Sequence, residues 1–234
     1  NWRSEPFNRK APWMHNVVEA TAKELARNIN SAAVVNAVNL VALTLLSTPK
    51  HTADVRLLQR QIEHVQFLLT AVPYSESVVP CNLPPGEIIA HVQRLKMLEC
   101  QTHPLGDMVL ATKHQATLLA YFRNNVLHLL ALPALLACLV SHNGRLKRSR
   151  AKEAIKGIYG LLRAELFLRW EPGELDDLID RTEDALVQRE LIFRDDANDV
   201  LRAPKPHSEA SPELRQLGEI IRPNIGERPA QIRC

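Results

Sequence analysis

The sequence predicts an all-α protein, mainly helical with short β-hairpin wings, built from two tandem winged-helix-like units. Three observations support this prediction. Along most of the chain, apolar residues recur with the 3.6-residue period of an α-helix. Strand signals are limited to short apolar segments beside polar turns, at residues 108–110, 191–193 and 200–201. The same order of apolar helix, amphipathic helix, Pro-Gly-Glu turn, third helix and hairpin occurs twice, at an offset of roughly 90 residues.

The amphipathic helix of the first unit shows the helical period most clearly. Apolar side chains at alternating spacings of three and four form one face of residues 55–69, and Arg, Gln and Glu fill the other face. Thr52 is a candidate N-cap, with Asp54 in the first turn. The same reasoning predicts helices over residues 13–30, 33–47, 52–71, 86–98, 113–141, 149–168, 174–190 and 211–221.

The repeat divides the chain into four regions. Residues 1–31 are expected to form a connecting helix that follows a further part of a longer protein. Residues 32–112 form the first helical unit, and residues 113–204 form the second. Residues 205–234 are rich in proline, which predicts a loosely ordered tail around one short helix.

Composition limits the classes of protein to which the chain can belong. Its 234 residues and 46% hydrophobic content are sufficient for a substantial core. The net charge of +3, from 29 basic and 26 acidic residues, is not that of a dedicated polycationic nucleic-acid binder. The four cysteines are far apart and form no C-x-x-C pair, which fits a reducing, cytosolic compartment. No secretory signal is visible.

The most apolar segment is the predicted helix over residues 113–141. It places the polar sequence Tyr-Phe-Arg-Asn-Asn ahead of an apolar run over residues 126–140 that only His128 and Pro133 interrupt. A membrane span needs about 20 predominantly apolar residues, so this shorter run predicts a buried core helix. Pro133 removes a backbone hydrogen bond, and a kink is expected near Leu129.

The polar residues beside this run are candidates for a buried structural network. A lone histidine on an apolar face is more often a hydrogen-bonded core group than a base. Residues three or four apart share a helix face, so the side chains of residues 123–125, one turn before His128, are the expected partners of this histidine. Asn36 and Asn39 could contact residues 123–125 across a helix interface. The candidate network consists of Arg123, Asn124, Asn125 and His128.

A basic stretch lies where the second amphipathic helix begins. Positive charge is unusual there, because the helix dipole favours negative charge at the N-terminus. The stretch is either a solvated loop and first helical turn or a contact for an anionic partner, either phospholipid headgroups or nucleic acid. The candidate contact residues are Arg145, Lys147, Arg148, Arg150 and Lys152.

The third helix of the second unit tests the nucleic-acid alternative. Winged-helix proteins usually place this helix in the major groove. Here it is strongly acidic over residues 174–190, and phosphates would repel it. A tandem winged-helix DNA-binding regulator therefore remains an alternative, but we expect no nucleic-acid partner.

The sequence offers no catalytic, metal or cofactor site. It contains no G-x-S-x-G elbow, P-loop, G-x-G-x-x-G or H-E-x-x-H motif. None of its nine histidines is followed five residues later by aspartate, as required by the H-x-x-x-x-D pair, in which a carboxylate orients a histidine that deprotonates a hydroxyl.

Several blocks nevertheless resemble the bacterial membrane-bound glycerol-3-phosphate acyltransferases of the PlsB type, in the region that follows their catalytic domain. The match runs in order over roughly residues 10 to 200, which is more specific than any single block. The matching blocks are the Ala/Asn-rich helix at 30–43, Val-Pro-Tyr-Ser at 72–75, Leu-Gly-Asp at 105–107, Tyr-Phe-Arg-Asn-Asn-Val-Leu-His-Leu at 121–129 with Pro-Ala-Leu at 133–135, and Ala-Glu-Leu-Phe-Leu-Arg-Trp at 164–170.

The resemblance implies a role in starting phospholipid synthesis. The family transfers a fatty acyl group from acyl-CoA or acyl-carrier protein to the first hydroxyl of sn-glycerol-3-phosphate, at the cytoplasmic face of the bacterial inner membrane. Its H-x-x-x-x-D and Pro-Glu-Gly blocks are absent here, so the resemblance assigns no catalytic residue. It implies an accessory region, inactive alone, without a transmembrane helix, whose partners are its own N-terminal catalytic domain and an anionic membrane surface.

Overall fold

The computed structural model describes residues 12–102, 104 and 106–225. Leu105 of the Leu-Gly-Asp block, residues 1–11 of the connecting region and residues 226–234 of the tail lie outside the described part. The elements are α1 (Pro12–Ser31), α2 (Ala37–Leu45), β1 (Thr52–Asp54), α3 (Val55–Ala71), α4 (Pro85–Arg94), β2 (Glu99–Gln101), β3 (Met108–Leu110), α5 (Lys113–Val126), α6 (Ala131–Asn143), β4 (Arg145–Lys147), α7 (Arg148–Leu166), α8 (Leu175–Gln188), β5 (Phe193–Asp195), β6 (Val200–Arg202), α9 (Ala210–Glu219) and α10 (Arg222–Ile225).

The structure confirms the mainly helical fold and contains two small antiparallel sheets in the same arrangement. Both sheets have three strands, in the orders β1-β3-β2 and β4-β6-β5. In each unit one helix precedes the first strand, two helices follow it, and a hairpin closes the sheet, which is the winged-helix order. Strands β1, β2 and β4 were not predicted, because their sequences Thr-Ala-Asp, Glu-Cys-Gln and Arg-Leu-Lys lack the apolar run that marks a strand.

The N-cap of α3 lies two residues after the predicted one. Thr52 lies in β1 opposite Leu110, so it cannot cap the helix. Asp54 is the N-cap, and its carboxylate accepts hydrogen bonds from the backbone N–H groups of Arg56 at 2.8 Å and Leu57 at 3.3 Å. An aspartate at this position satisfies donors that the helix leaves unpaired.

The helix predicted over residues 113–141 is two helices joined by a 3-10 turn at Leu127–Leu130. This break includes Leu129, where the kink was expected. Pro133 lies in the first turn of α6, where the missing N–H has no intrahelical acceptor to lose. The stretch Lys113–Asn143 is long and apolar enough to cross a membrane, but 83% of its most apolar window is buried inside the protein. It is therefore a core helix pair and not a span.

The expectation of a loosely ordered tail is wrong for the part that the structure describes. Leu214, Leu217 and Ile221 are at most 1% exposed. Gly218 lies so close to α6 that an added Cβ would be 2.8 Å from the Cα of Cys138. The prolines did not prevent these helices, because Pro212 occupies the first turn of α9, which tolerates proline.

Candidate functional site

Two asparagines connect the Ala/Asn-rich helix to the polar end of α5. Asn36 and Asn39 form a capping box at the start of α2, in which each side chain accepts the other's backbone N–H. The Asn39 side-chain amide also donates to the backbone carbonyl of Phe122 at 2.8 Å. The expected contact across the helix interface therefore exists, but it is made to the backbone of α5.

The structure divides the candidate polar network into separate parts. His128 is 3% exposed, and its Nε2 lies 3.0 Å from the backbone carbonyl oxygen of Asn30. Arg123 instead donates to the Asn124 side chain at 3.1 and 3.2 Å, and the side chains of Asn124 and Asn125 are exposed. The 3-10 turn shifts His128 out of the register of α5, so the spacing rule for one continuous helix does not apply.

His128 is a neutral structural group. A carbonyl oxygen can only accept, so Nε2 carries the proton and donates it to Asn30. Burial lowers the pKa of His128 to about 4, although the hydrogen bond to Asn30 acts in the opposite direction. Because Nε2 is committed to this bond inside the core, the imidazole is not placed to serve an external substrate.

Four of the five blocks that carry the family resemblance, at 30–43, 72–75, 121–129 and 164–170, meet around Tyr74. Its ring makes edge contacts with His128 and Trp170, at centroid distances of 4.9 and 4.7 Å. Its hydroxyl accepts from the backbone N–H of Arg169 at 2.9 Å. Asn30 closes the cluster, because its side chain donates to the backbone of the 164–170 block. Blocks far apart in the sequence thus form one buried junction that joins the two units.

Two residues of the basic stretch form ion pairs with α8. Arg148 contacts Glu183 at 2.9 Å and Asp180 at 3.4 Å, and Lys152 contacts Asp180 at 2.7 Å. Glu183 is 1% exposed, so its partner is held in place. This pairing explains two features of the sequence, the basic residues at the start of α7 and the acidic residues of α8, because the two sets neutralise each other.

The remaining cations of the stretch point to solvent. Arg145 and Lys147 are the exposed ends of β4 on either side of buried Leu146. Arg150 is exposed, and within the described ranges its one ion pair is with exposed Glu153, at 3.2 Å. The structure thus separates the five candidate contact residues into two that are paired inside the unit and three that are accessible.

Helix α8 does not favour the DNA-binding alternative. Its exposed side chains include Asp177 and Asp184, beside a single exposed arginine, Arg181. Phosphates approaching this helix would meet net negative charge.

Sequence reasoning missed a polar junction between α3, α8 and α9. His64 is 5% exposed; its Nε2 lies 3.0 Å from the Glu213 carboxylate, and its Nδ1 accepts from Arg189 Nε at 3.0 Å. Arg60 contacts the other oxygen of Glu213 at 2.6 Å. These residues line a cavity of about 690 Å³. Nothing in the local sequence links positions so far apart.

This junction is not arranged for acid–base catalysis. A histidine base needs one free nitrogen lone pair, but the Arg189 guanidinium occupies Nδ1 and the Nε2 proton is donated to Glu213. Burial acts to raise the pKa of Glu213, but the hydrogen bond from His64 and the charge of Arg60 outweigh it and lower the pKa. The carboxylate is thus held ionised as a structural bridge. Across the described ranges, no group of three or more His, Cys, Asp or Glu side chains could hold a metal ion.

Comparison with known proteins identifies the family of this chain. The family model described as the glycerol-3-phosphate acyltransferase C-terminal region matches residues 1–228. The glycerol-3-phosphate acyltransferase of Xanthomonas campestris pv. campestris is 36% identical over 224 residues, covering 94% of this chain and 25% of that protein. The Pseudomonas putida protein of the same name is 38% identical over 225 residues, covering 94% of this chain and 27% of its own. The protein of that name from Pseudomonas fluorescens is 37% identical over 213 residues, covering 89% of this chain and 25% of its own.

These matches agree with the resemblance that the sequence blocks indicated, and they fix its extent. The chain spans about a quarter of the length of the curated relatives it matches. The matched region covers both winged-helix-like units and α9. The chain belongs to the glycerol-3-phosphate acyltransferase C-terminal region family.

Proposed function

We propose that this chain is the accessory C-terminal region of a glycerol-3-phosphate 1-O-acyltransferase. The whole enzyme would transfer an acyl group from acyl-CoA or acyl-carrier protein to sn-glycerol-3-phosphate in phospholipid synthesis. The observation that carries the proposal is the family match over residues 1–228, together with relatives about four times as long. The chain's task is to pack against the catalytic domain, which supplies the chemistry.

The polar groups of the described residues support this structural role. His64 and His128 are the buried histidines, and each is committed to hydrogen bonds inside the protein. The acidic side chains that face the basic stretch, Asp180 and Glu183, form ion pairs with Arg148 within the second unit. Neither arrangement leaves a nucleophile and a base within reach of each other in an open cleft.

An activity assay on three proteins tests the accessory role. We expect the full-length enzyme to acylate sn-glycerol-3-phosphate, the 234-residue chain alone to be inactive, and the enzyme lacking this region to lose most of its activity. Acyl transfer by the isolated chain would overturn the proposal. Full activity of the truncated enzyme would show that the region is dispensable and would also overturn it.

We further propose that the chain lies at the cytoplasmic face of the bacterial inner membrane as a peripheral element, with the basic stretch near anionic headgroups. Arg145, Lys147 and Arg150 are the accessible cations, whereas Arg148 and Lys152 are paired with α8. Each cation near an anionic surface contributes about 1 kcal/mol, so removing three of them should weaken binding by about two orders of magnitude.

Vesicle flotation tests this contact. Vesicles that contain phosphatidylglycerol should retain the wild-type chain and lose the variant with alanine at the three accessible positions. A matched variant with alanine at Arg94, Lys113 and Arg181 removes the same charge from exposed positions elsewhere and should bind like wild type. Equal binding of all three proteins would contradict the contact, and equal loss by both variants would show that only net charge matters.

A further inference from the structure

Helix α1 carries an apolar stripe that the described residues leave uncovered. Its large apolar side chains are neighbours or lie three, four or seven residues apart, so they share one face of the helix. Their exposed fractions are 63% for Trp13, 37% for Met14, 50% for Val17, 60% for Val18, 58% for Leu25 and 71% for Ile29.

The helix is attached to the rest of the structure near its C-terminal end. Asn30 donates to the backbone of Leu166 at 2.8 Å, and its own carbonyl accepts from His128. Residues 13–25 are all exposed. Helices in proteins owe most of their stability to tertiary packing of an amphipathic face, so a stripe of this size indicates a surface that another body covers.

The charges on α1 argue against a membrane as that body. Helices that lie in the membrane interface carry an excess of Lys and Arg on their polar face. The charged side chains of α1 instead balance one another, with Lys23 2.6 Å from Glu19 and Arg27 3.9 Å from Glu24. The polar face is therefore neutral, and it offers no attraction to anionic headgroups.

We propose that the α1 stripe docks into an apolar groove on the remainder of the acyltransferase, the part that lies outside this chain. This inference rests on the proposed function. About three quarters of the length of the relatives lies outside the matched region, so the rest of the enzyme is the largest partner available to the stripe. An amphipathic helix laid in a groove uses anchors at spacings of three, four and seven, and the pairs Trp13–Val17, Val18–Leu25 and Leu25–Ile29 are four, seven and four residues apart.

Cysteine labelling of the full-length enzyme tests the docking. Val18→Cys places a thiol in the stripe, and Asn16→Cys places one on the polar face of the same helix. With maleimide labelling followed by peptide mass spectrometry, we expect position 18 to react about tenfold more slowly than position 16. Equal rates at the two positions would overturn the inference.

The same experiment separates the other occupants of the stripe. Protection that appears in phosphatidylglycerol vesicles and disappears in detergent would identify the membrane as the partner and overturn the proposal. Protection that depends on protein concentration would identify a second copy and overturn it as well.

A pair of charge substitutions gives a functional readout. Val18→Glu and Asn16→Glu add the same charge at exposed positions, so neither disturbs this chain's own core. In the full-length enzyme we expect Val18→Glu to lower acyl transfer about tenfold, because it would bury a charge in the groove, and Asn16→Glu to leave it unchanged.

The outcomes also distinguish the two proposals. If the enzyme needs this region but tolerates Val18→Glu, the docking inference fails and the accessory role stands. If the enzyme lacking the region is fully active, the accessory role fails whatever α1 contacts.

Discussion

The buried histidine His128 makes folding stability depend on pH in a calculable way. Its pKa is lowered from 6.5 to about 4 in the folded chain, chiefly by burial. Below pH 6.5 the unfolded chain binds a proton that the native chain excludes, so stability is fully present above pH 6.5 and is lost as the pH falls towards 4. Between pH 7.5 and pH 5.0 this difference amounts to about 2 kcal/mol.

Comparison with His128→Gln isolates this contribution. Glutamine retains an N–H donor for the carbonyl of Asn30 and does not titrate. Urea unfolding at the two pH values should show a loss of stability in the wild-type chain that exceeds the loss in the variant by about 2 kcal/mol. His114 is exposed, and His114→Gln should follow the wild-type pH dependence. A parallel decline in wild type and His128→Gln would refute the burial of a neutral imidazole against Asn30.

Two further predictions concern packing and buried charge, and urea unfolding checks both. Gly218→Ala should destabilise the chain by roughly 1–3 kcal/mol, because the new Cβ would lie 2.8 Å from the Cα of Cys138. Gly157→Ala is the control: no atom lies within 4 Å of its new Cβ, so it should stabilise α7 by up to about 1 kcal/mol. If both glycines tolerate alanine, α9 does not pack on α6 as described. Glu183→Ala should cost roughly 1.5–3 kcal/mol, because Arg148 and Arg194 lose their buried partner but keep Asp180 and Asp184. Glu153→Ala at an exposed pair should change stability by no more than about 0.5 kcal/mol. Equal costs at the two glutamates would contradict the buried ion pair.

The helices and the repeat could be predicted because both leave a local pattern. Residues 52–71 were expected to form one helix, and α3 covers Val55–Ala71. The Pro-Gly-Glu segments mark the same place in each unit: one is the first turn of α4, and the other is a 3-10 turn directly before α8. Hydrophobic period and turn residues are local signals, so a single sequence suffices to find them.

The polar sites could not be predicted, because their partners are distant in sequence. His64 meets Glu213 from 149 residues away, and His128 meets Asn30 from 98 residues away. The basic start of α7 was interpreted as either a solvated first turn or a contact for an anionic partner. The ion pairs with α8 were not foreseen, because those acidic residues lie about 30 residues later and only packing brings them together. Side-chain type identifies a polar group, but its partner depends on the tertiary fold.

Helix α9 contacts both units and joins them into one core. Its residue Gln216 donates to the carbonyl of Thr44 in the first unit at 3.1 Å, and the backbone of Glu213 accepts from Gln61 at 3.0 Å. On its other side Gly218 packs against the α6 backbone of the second unit. Helices α3 and α8 also pack directly on each other, and buried residues of both units belong to one continuous core. The boundary near residue 112 therefore separates two copies of a structural pattern and not two independent cores, because each copy completes its burial only against the other and against α9.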